Sequence, residues 1–402
     1  MTPPRIPPGT VARAPALSLI LCSRNDQYMG NSRWRLETTL NYAGQRVREL
    51  GREDSVEILV TDWGSDVPLS EVLDLSPAAA RLVSFLRVPP GIACPLQRDS
   101  PFPEVLALNA AARRARGEYI GRIDQDTLAG RRFFEAFFEL YEGKRQLAVP
   151  LKAALLFSNL RMVPYRFAVR CPSLPVVELF IHTFGGRLTI EITQRAPFYF
   201  HGVGIWLLHR GLWEECGGYD ERMIYMCKME KNMIARLGQR HQIINLGALI
   251  DYDFYHLEHY HPLAPRRSST YRRINDREVM KDIDETFQPN GPDWGLTAYP
   301  IHIDPYCVKN SLPAGESEDQ AGTGKRGLVL LMPMVTAQIG WDAVCLAVRK
   351  ASRTLRRGWA LWRHRASVAR RAVSGQPVTA WPGVLMELRR RNAGQKLQAK
   401  EL

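Results

Sequence analysis

Short apolar runs alternate with longer amphipathic segments along residues 17–250. Continuous apolar runs that end in polar residues are typical of strands buried on both faces, and they lie at 17–22, 56–60, 82–88, 119–123, 201–210 and 241–250. Apolar residues at helical spacing predict helices at 33–50, 104–116, 131–141, 211–216 and 229–237. Because strands alternate with helices, the sequence predicts an α/β fold with a mostly parallel central sheet flanked by helices. Residues 145–200 are predicted to be irregular.

The chain is predicted to divide into an N-terminal segment, one domain, a linker and a C-terminal region. Residues 1–16 are rich in proline and lack the apolar core of a signal peptide, so we expect them to be disordered. Residues 17–310 form the α/β domain, and 311–325, rich in Gly, Ser and acids, form the linker. Residues 326–402 are expected to be a helical extension, first apolar and then basic.

Positive charge is concentrated near the C-terminus. The net charge is +13, yet residues 341–402 alone hold 14 Lys and Arg against three acids. Residues 349–371 predict a basic amphipathic helix, which we expect to lie on an anionic membrane surface; packing on the domain or binding a partner are the alternatives. The apolar stretch before it contains Pro333 and Asp342, which argue against a transmembrane span. Nucleic acid is not expected as a partner.

The seven cysteines are scattered, without disulfide or metal-ligand spacing. This usage favours free thiols in a reducing compartment. We therefore expect a cytoplasmic protein, held at the inner face of the membrane if the basic helix binds lipid.

Two carboxylates follow the predicted strand 119–123. Asp124 and Asp126 would lie on one face if that strand continued, at the edge of the sheet where ligands collect. Paired carboxylates there suit Mg²⁺ or Mn²⁺ bound to phosphates. The alternative is a turn in which the Asp side chains cap backbone groups.

Other motifs surround this pair in a recognisable order. A strand with a polar loop (17–26) precedes a second strand that ends at Asp62-Trp63-Gly64-Ser65, and a helix with Asn109 leads through Gly117-Glu118-Tyr119-Ile120 to Asp124-Gln125-Asp126. Then come Arg210, Gly217-Gly218-Tyr219-Asp220-Glu221, the segment from Glu230 to Arg236-Leu237, and Tyr255-His256-Leu257-Glu258-His259. Over residues 17–300 this ordered set resembles the family 2 glycosyltransferases, which have the GT-A fold.

The resemblance implies a nucleotide-sugar donor, with UDP as the nucleotide, bound together with Mn²⁺ or Mg²⁺. Asp126 would ligate the metal, and Asp124 would bind the metal or the donor sugar. Asp62 would accept hydrogen bonds from the nucleobase, with Arg24 and Asn25 contacting the nucleotide. For these last three residues, local turn bonding or a helix cap is the alternative.

The histidine-rich segment 251–262 supplies the remaining metal ligand in this resemblance. His256 is the expected third ligand, with His259 and His261 as competitors. Imidazole with carboxylates suits Mn²⁺ better than Ca²⁺. The segment alone does not make a zinc site, because it has no Cys and no closed set of four ligands. Packing of aromatic and His side chains on the domain is the alternative.

The catalytic base departs from the family pattern. Where the family has Glu-Asp, this chain has Met229-Glu230. An inverting transfer needs a carboxylate that takes the proton of the acceptor hydroxyl, and Glu230 is the candidate; a solvated helix carboxylate is the alternative. By the resemblance, the acceptor side includes His201, Asp220 and Glu221, of which the two acids are rivals for the base. Asn109 would orient the loop of the paired carboxylates, or else be an ordinary helix residue.

These observations predict an inverting, metal-dependent glycosyltransferase that acts on a saccharide or lipid-linked acceptor. One alternative is a non-catalytic binding subunit of the same fold, which the altered Met229-Glu230 pair favours. The other is a nucleotidyltransferase, which would carry a Gly-rich loop after the first strand. Residues 23–26 contain no glycine, so the last alternative is disfavoured.

Overall fold

The computed structural model describes residues 14–28, 30–146, 154–157, 161–184, 205–225, 229–250, 253–259 and 286–308. All of them belong to one compact unit, Met1–Val335. The strands are β1 (Leu17–Ser23), β2 (Val56–Trp63), β3 (Val83–Val88), β4 (Tyr119–Arg122), β5 (Thr127–Ala129), β6 (Ala154–Phe157), β7 (Arg161–Val163), β8 (Ile205–His209), β9 (Ile243–Asn245), β10 (Phe254–Leu257) and β11 (Ile303–Pro305). The α-helices are α1 (Ser32–Glu49), α2 (Leu69–Val72), α3 (Pro77–Ala80), α4 (Pro90–Gln97), α5 (Glu104–Arg114), α6 (Arg131–Tyr141), α7 (Tyr165–Ala168), α8 (Leu174–Phe184), α9 (Arg210–Cys216) and α10 (Met229–Leu237).

The central sheet has eight strands in the order β11-β3-β2-β1-β4-β8-β6-β9. Strands β3, β2, β1 and β4 are mutually parallel, as are β6 and β9. Strand β8 runs antiparallel to both of its neighbours, and β11 is an antiparallel edge strand. The predicted α/β fold with a mostly parallel sheet is confirmed.

Successive residues of β1 pack into opposite layers, as the two-residue period of a strand requires. Leu19 and Leu21 join the apolar cluster that includes α1 and α6. Ile20 joins the cluster on the other face, built largely from α5, α9 and α10. The sheet is therefore buried on both faces, which is why its central strands read as continuous apolar runs.

Register brings the carboxyl ends of three central strands together. Ser23 at the end of β1 pairs with Asp62 of β2, and Ile20 pairs with Arg122 at the end of β4. A second sheet, in the order β5-β10-β7, follows directly from the loop after β4. The loops after β1, β2 and β4 thus meet at one edge, next to β10.

Two predictions of local structure are wrong. Residues 145–200, predicted to be irregular, contain β6, β7, α7 and α8. Phe180 of α8 stacks on Phe167 of α7, with ring centroids 4.3 Å apart. Within 241–250, the predicted strand is only three residues long and is followed by a 3-10 turn. The strands β6, β7 and β9 are too short for a periodic pattern to show, whereas α8 has 11 residues and was missed.

Several predictions lie outside the described residues. They concern the N-terminal segment up to residue 13, His201, His261, the linker 311–325, and the C-terminal region 326–402 with its basic stretch 349–371. Among the described residues, the structure contains no helix with the length and hydropathy needed to cross a bilayer.

Candidate metal site and cavity

Asp124 and Asp126 lie on a turn between β4 and β5. The backbone N–H of Thr127 donates to the carbonyl of Asp124, 3.1 Å away, so the strand does not continue through the pair. The turn alternative is therefore correct for the backbone. The side chains, however, bond other side chains: Asp124 pairs with Arg122 and Asp126 with Arg35. Asp126 therefore belongs to one cluster of charged side chains and Asp124 to another.

Asp126 is buried, and its ion pair holds it to α1. Its side chain is 6% exposed, and Arg35 Nη1 lies 2.7 Å from its Oδ2. Arg35 itself is 1% exposed. A buried carboxylate needs such a partner, because leaving its charge unpaired is costly.

Pairing of β5 with β10 brings two histidines to Asp126. His256 lies opposite Thr127 in the antiparallel ladder, and the N–H of Leu257 donates to the Asp126 carbonyl at 2.9 Å. His256 Nδ1 is 3.2 Å from Asp126 Oδ1, and His259 Nε2 is 3.2 Å from Asp126 Oδ2. The predicted ligands Asp126 and His256 are thus brought together, with His259 beside them.

This cluster has the donor chemistry of a transition-metal site. The three donor atoms lie within 4.8 Å of one another. Metal–nitrogen and metal–oxygen bonds of about 2.1 Å place neighbouring ligand atoms about 3 Å apart, close to the two 3.2 Å separations. His256 Nδ1 is buried and makes no hydrogen bond despite its closeness to Asp126. One carboxylate and two imidazoles suit Mn²⁺ better than Ca²⁺.

The electrostatics of the cluster favour an anionic Asp126. Burial alone would raise the pKa of Asp126, but His256 and His259 hold it well below the ordinary value. Burial opposes the charge on His256, yet Asp126 raises the pKa of this imidazole to about 9. Burial lowers the pKa of His259. A metal ion would compete with the proton on His256, because imidazole ligates only when deprotonated.

The cluster forms one wall of a cavity of about 430 Å³. This volume is in the range of small-molecule sites. The lining residues come from the loops after β1 and β4, from the start of α5 and from β10: Cys22, Ser23, Arg24, Asp26, Gln27, Tyr28, Pro101, Phe102, Glu104, Ile123, Asp124, Gln125, Asp126, His256 and His259. The cavity therefore lies where ligands bind to α/β sheets, beyond the carboxyl ends of the strands.

A second cluster centres on Arg122, whose side chain is 4% exposed. Its Nη2 lies 2.7 Å from Glu104 Oε1 and 2.6 Å from Asp124 Oδ1. The same nitrogen is 3.0 Å from Glu230 Oε1. A guanidinium nitrogen of this kind carries two hydrogens, so it cannot donate a separate hydrogen bond to each carboxylate. Burial together with like charges this close favours the protonated forms of Glu104 and Asp124.

The pKa values of this second cluster follow from its burial. Burial raises the pKa of Glu104 to about 7, against the opposing effect of Arg122. Burial likewise raises the pKa of Asp124 to about 6. Of these acids, Glu104 and Asp124 line the cavity, whereas Glu230 is not among the lining residues. Glu104 and Asp124 are therefore expected to exchange protons near neutral pH.

Glu104→Gln is expected to reduce the pH dependence of folding stability between pH 5 and 8. The folded pKa of Glu104, about 7, exceeds its ordinary value of 4.5. Glu104 therefore contributes stability that is fully present below pH 4.5 and is lost as pH rises to about 7. Each pKa unit corresponds to about 1.4 kcal/mol. Between pH 5 and pH 8, the free energy of unfolding of the wild type should therefore fall by at least about 1 kcal/mol more than that of the variant. Urea unfolding at pH 5 and pH 8 measures this; equal pH dependence in both proteins would contradict it.

Arg24 and Asn25, which are predicted to contact the nucleotide, lie on the loop after β1. Hydrogen bonds join this loop to the loop after β2. Arg24 lines the cavity, pairs with Asp26 at 2.8 Å and donates to the Pro101 carbonyl. Asn25 donates its backbone N–H to Ser65 Oγ at 2.8 Å and its side-chain amide to the Val67 carbonyl. These contacts connect the loop after β1 to the loop after β2.

Asp62 lies beneath these loops and not on the cavity wall. It is 1% exposed, accepts from Ser65 Oγ, and accepts from the backbone N–H of Leu69 at 2.8 Å. Burial raises its pKa. Its contacts are those of a residue that shapes a turn, and its role toward a nucleobase stays a prediction.

Asn109, Asp220 and Glu221 lie away from the cavity wall, where Asn109 of α5 bonds to the turn 217–221. The Asn109 amide accepts from the Tyr219 N–H at 2.8 Å and donates to Glu221 Oε1 at 3.0 Å. Asp220 is buried and pairs with Arg222 at 2.7 Å. Gly218 has a φ of +71°, and a side chain there would collide with Asn109. Asn109 thus fixes the turn 217–221 and makes no described contact with the loop of Asp124 and Asp126; the acceptor roles of the two acids stay predictions.

Comparison with known proteins finds likeness at the level of solved structures. No family model matches the chain, and no curated protein matches it significantly. A mannosyltransferase, PcManGT from Pyrobaculum calidifontis, solved with GDP-Man and Mn²⁺, is 17% identical; the match covers 63% of this chain and 59% of that one, with a TM-score of 0.35. This chain therefore spans about three fifths of that protein.

Two further solved structures are similar to the same extent. The catalytic domain of Drosophila β1,4-galactosyltransferase 7, solved with xylobiose, is 11% identical, covering 67% of this chain and 79% of that one, with a TM-score of 0.34. Residues 1–349 of S. aureus TarS are 12% identical, covering 60% of each chain, with a TM-score of 0.35. Because the identities and TM-scores are this low, the function of the chain has to be inferred from the residues of its site.

Sequence reasoning overlooked the two arginines that organise the site. Arg122 had a local signal, since a charged residue inside an otherwise apolar strand must find partners when buried. Arg35 and Glu104 had none: a cation in α1 and an acid in the first turn of α5 are ordinary at the surface of a helix. Only the fold shows that they converge on the turn after β4.

Proposed function

We propose that the chain is an inverting, metal-dependent glycosyltransferase with a nucleotide-sugar donor, its nucleotide being UDP, and a saccharide or lipid-linked acceptor. The observation that carries the proposal is the donor set of Asp126, His256 and His259 in the wall of the cavity. Several classes of metal enzyme bind phosphates. Among these classes, the order of motifs from the loop after β1 to the turn 217–221 favours a transferase.

In this proposal each group of residues around the cavity has its own role. Asp126, His256 and His259 hold Mn²⁺ or Mg²⁺; when bound, the metal supplies positive charge that stabilises the diphosphate leaving group. Asp124 faces the same space and orients the ribose or the donor sugar. Arg24 holds the nucleotide side of the cavity, and Asn25 and Asp62 shape that side through their bonds to the loop 65–69.

Glu230 is the proposed proton acceptor. During transfer, the acceptor oxygen bonds to the anomeric carbon as the bond between that carbon and the diphosphate oxygen breaks, and the hydroxyl proton passes to a carboxylate. Arg122 holds Glu230 at 3.0 Å, next to Glu104. Glu104 is the rival, because it lines the cavity.

Glu230→Gln is expected to bind UDP with Mn²⁺ as the wild type does but to lose transfer by about 100-fold or more, the usual contribution of a general base. Binding is measured by calorimetry and transfer by UDP release. Glu104→Gln is the matched variant on the same arginine. Full activity in Glu230→Gln would remove Glu230 from the mechanism, and loss of transfer in Glu104→Gln alone would assign the base to Glu104.

The function itself is tested by binding and by nucleotide release. UDP and GDP are titrated into the protein with and without Mn²⁺, and release of each nucleotide is followed from UDP-glucose, UDP-galactose, UDP-N-acetylglucosamine and GDP-mannose. Metal-dependent binding with nucleotide release is expected. Binding without turnover would point to a non-catalytic subunit, and pyrophosphate release from UTP with a sugar phosphate would point to a nucleotidyltransferase. Failure of both nucleotides to bind would overturn the proposal.

A further inference from the structure

Arg35 is fixed against the metal-site carboxylate from three sides. Its Nη1 donates to Asp126 Oδ2 at 2.7 Å, and its Nη2 donates to the carbonyls of Tyr28 and Gly30, the latter at 3.2 Å. The guanidinium is 1% exposed. Held by these acceptors, it cannot swing away to make room for another cation. Any ion bound by Asp126 therefore shares the carboxylate with a permanent positive charge.

This arrangement leaves the donor set with little net negative charge. Asp126 is its only acidic member, and Arg35 offsets that charge. The charge of Asp124 is shared with Arg122, 2.6 Å away. Affinity for hard divalent cations depends on how many charged ligands a site offers, so the protein by itself is a weak site.

The same guanidinium also connects the metal site to the cavity. The carbonyl of Tyr28 that it holds belongs to the loop after β1, and Asp26, Gln27 and Tyr28 from that loop line the cavity. A ligand in the cavity therefore contacts a wall that is anchored to the metal-site carboxylate through Arg35.

We propose that Arg35 is a positioning residue that makes metal binding depend on the donor's diphosphate. Arg35 keeps the free protein's affinity for the metal low, and the anionic diphosphate oxygens supply the missing negative charge, so that metal and donor bind together. Mg²⁺ and similar ions are commonly held in this way, by one or two carboxylates plus substrate phosphates. The inference rests on the proposed function, since the diphosphate is that of a nucleotide sugar.

The experiment is an Mn²⁺ titration of the full-length protein followed by electron paramagnetic resonance, alone, with UDP and with uridine. For the wild type, UDP should tighten Mn²⁺ binding by about tenfold or more, because it adds charge at short range. Uridine, which lacks the diphosphate, should leave the affinity unchanged. Equal gains with uridine and UDP, or no gain with UDP while Mn²⁺ binds tightly alone, would overturn the inference.

Two substitutions separate the charge of Arg35 from its geometry. Arg35→Gln keeps a hydrogen-bond donor but removes the charge, and it should bind Mn²⁺ about tenfold more tightly without nucleotide and gain less from UDP. Arg35→Lys keeps the charge and should behave as the wild type does. Arg46→Met is the matched control, because Arg46 lies on the same helix and pairs with Glu49 and Glu178 instead.

The outcomes distinguish this inference from the proposed function. Unchanged or weaker Mn²⁺ binding in Arg35→Gln, or identical behaviour of the Gln and Lys variants, overturns the role of Arg35 while the metal site stands. A wild-type protein that binds no Mn²⁺, with or without UDP, overturns the proposed function itself. If Arg35→Gln does not fold, equal gains with UDP and uridine on the wild type still overturn the inference.

Discussion

Asp126→Asn is expected to lower the Mn²⁺-dependent affinity for UDP by at least about 100-fold, the upper end of what losing a supporting outer-shell group costs a metal site. Asparagine keeps the shape of the side chain but removes the only anionic member of the donor set. Nucleotide release from UDP-sugars should fall at least in proportion. Calorimetric titration of UDP in the presence of Mn²⁺ measures the effect.

The same substitution also removes the partner of buried Arg35, so it will lower stability. His256→Gln avoids this complication, because it removes a metal ligand and leaves the pair of Arg35 and Asp126 intact. Asp126→Asn and His256→Gln should both lose Mn²⁺-dependent binding of UDP. The control is Glu57→Gln, which removes a carboxylate paired with Arg116 at the opposite end of the sheet. Metal-dependent binding that survives in both site variants would refute the assignment of the ligands.

Arg122→Met is expected to destabilise the fold by about 3–5 kcal/mol at pH 8, the cost of removing one partner from a buried charged cluster. The substitution keeps the apolar stem of the side chain but leaves Glu104, Asp124 and Glu230 facing one another without a cation. Urea unfolding measures the loss. Arg116→Met is the matched control: Arg116 is 69% exposed, and its loss should cost less than about 1 kcal/mol.

The loss in Arg122→Met should shrink as the pH falls. Without the guanidinium, which lowers the pKa values of Glu104 and Asp124, the folded pKa values of these two acids rise further above their unfolded values. Stability is then present at low pH, where the acids are protonated, and is lost as pH rises through the folded pKa values. Adding Glu104→Gln should recover part of the stability at pH 8. An equal loss at pH 5 and pH 8 would mean that lost packing, and not charge, is responsible.

The layers of the fold were predictable because its central elements are long enough to show a period. β1, α1 and α10 were predicted within a residue or so of their bounds, and α6 over the whole of Arg131–Tyr141. Strands of three or four residues, such as β5, β7 and β10, show no alternation that a sequence pattern can register. The helix α8 was overlooked although its buried residues Val176, Val177, Phe180 and Ile181 follow helical spacing.

The candidate site was predictable only where a motif lies in one stretch of sequence. Asp124, Asp126 and His256 come from such motifs, and all three line the cavity. The side chains of the two aspartates pair with different arginines, and Asp126 alone of them belongs to the donor set with the histidines, so their joint role stays a prediction. Arg35 and Glu104 are set by packing between distant elements, and no spacing along the chain encodes that.

The pairing of β5 with β10 also has a consequence for biosynthesis. Asp126 and Arg35 leave the ribosome well before His256 and His259, and translation at about 5–20 residues per second separates the two events by roughly ten seconds. During that interval the chain contains both the carboxylate and its arginine partner but neither imidazole. If the proposed metal site is correct, a nascent chain should therefore be unable to bind the ion there until the last strand of the second sheet has docked, so metal binding would report that docking step.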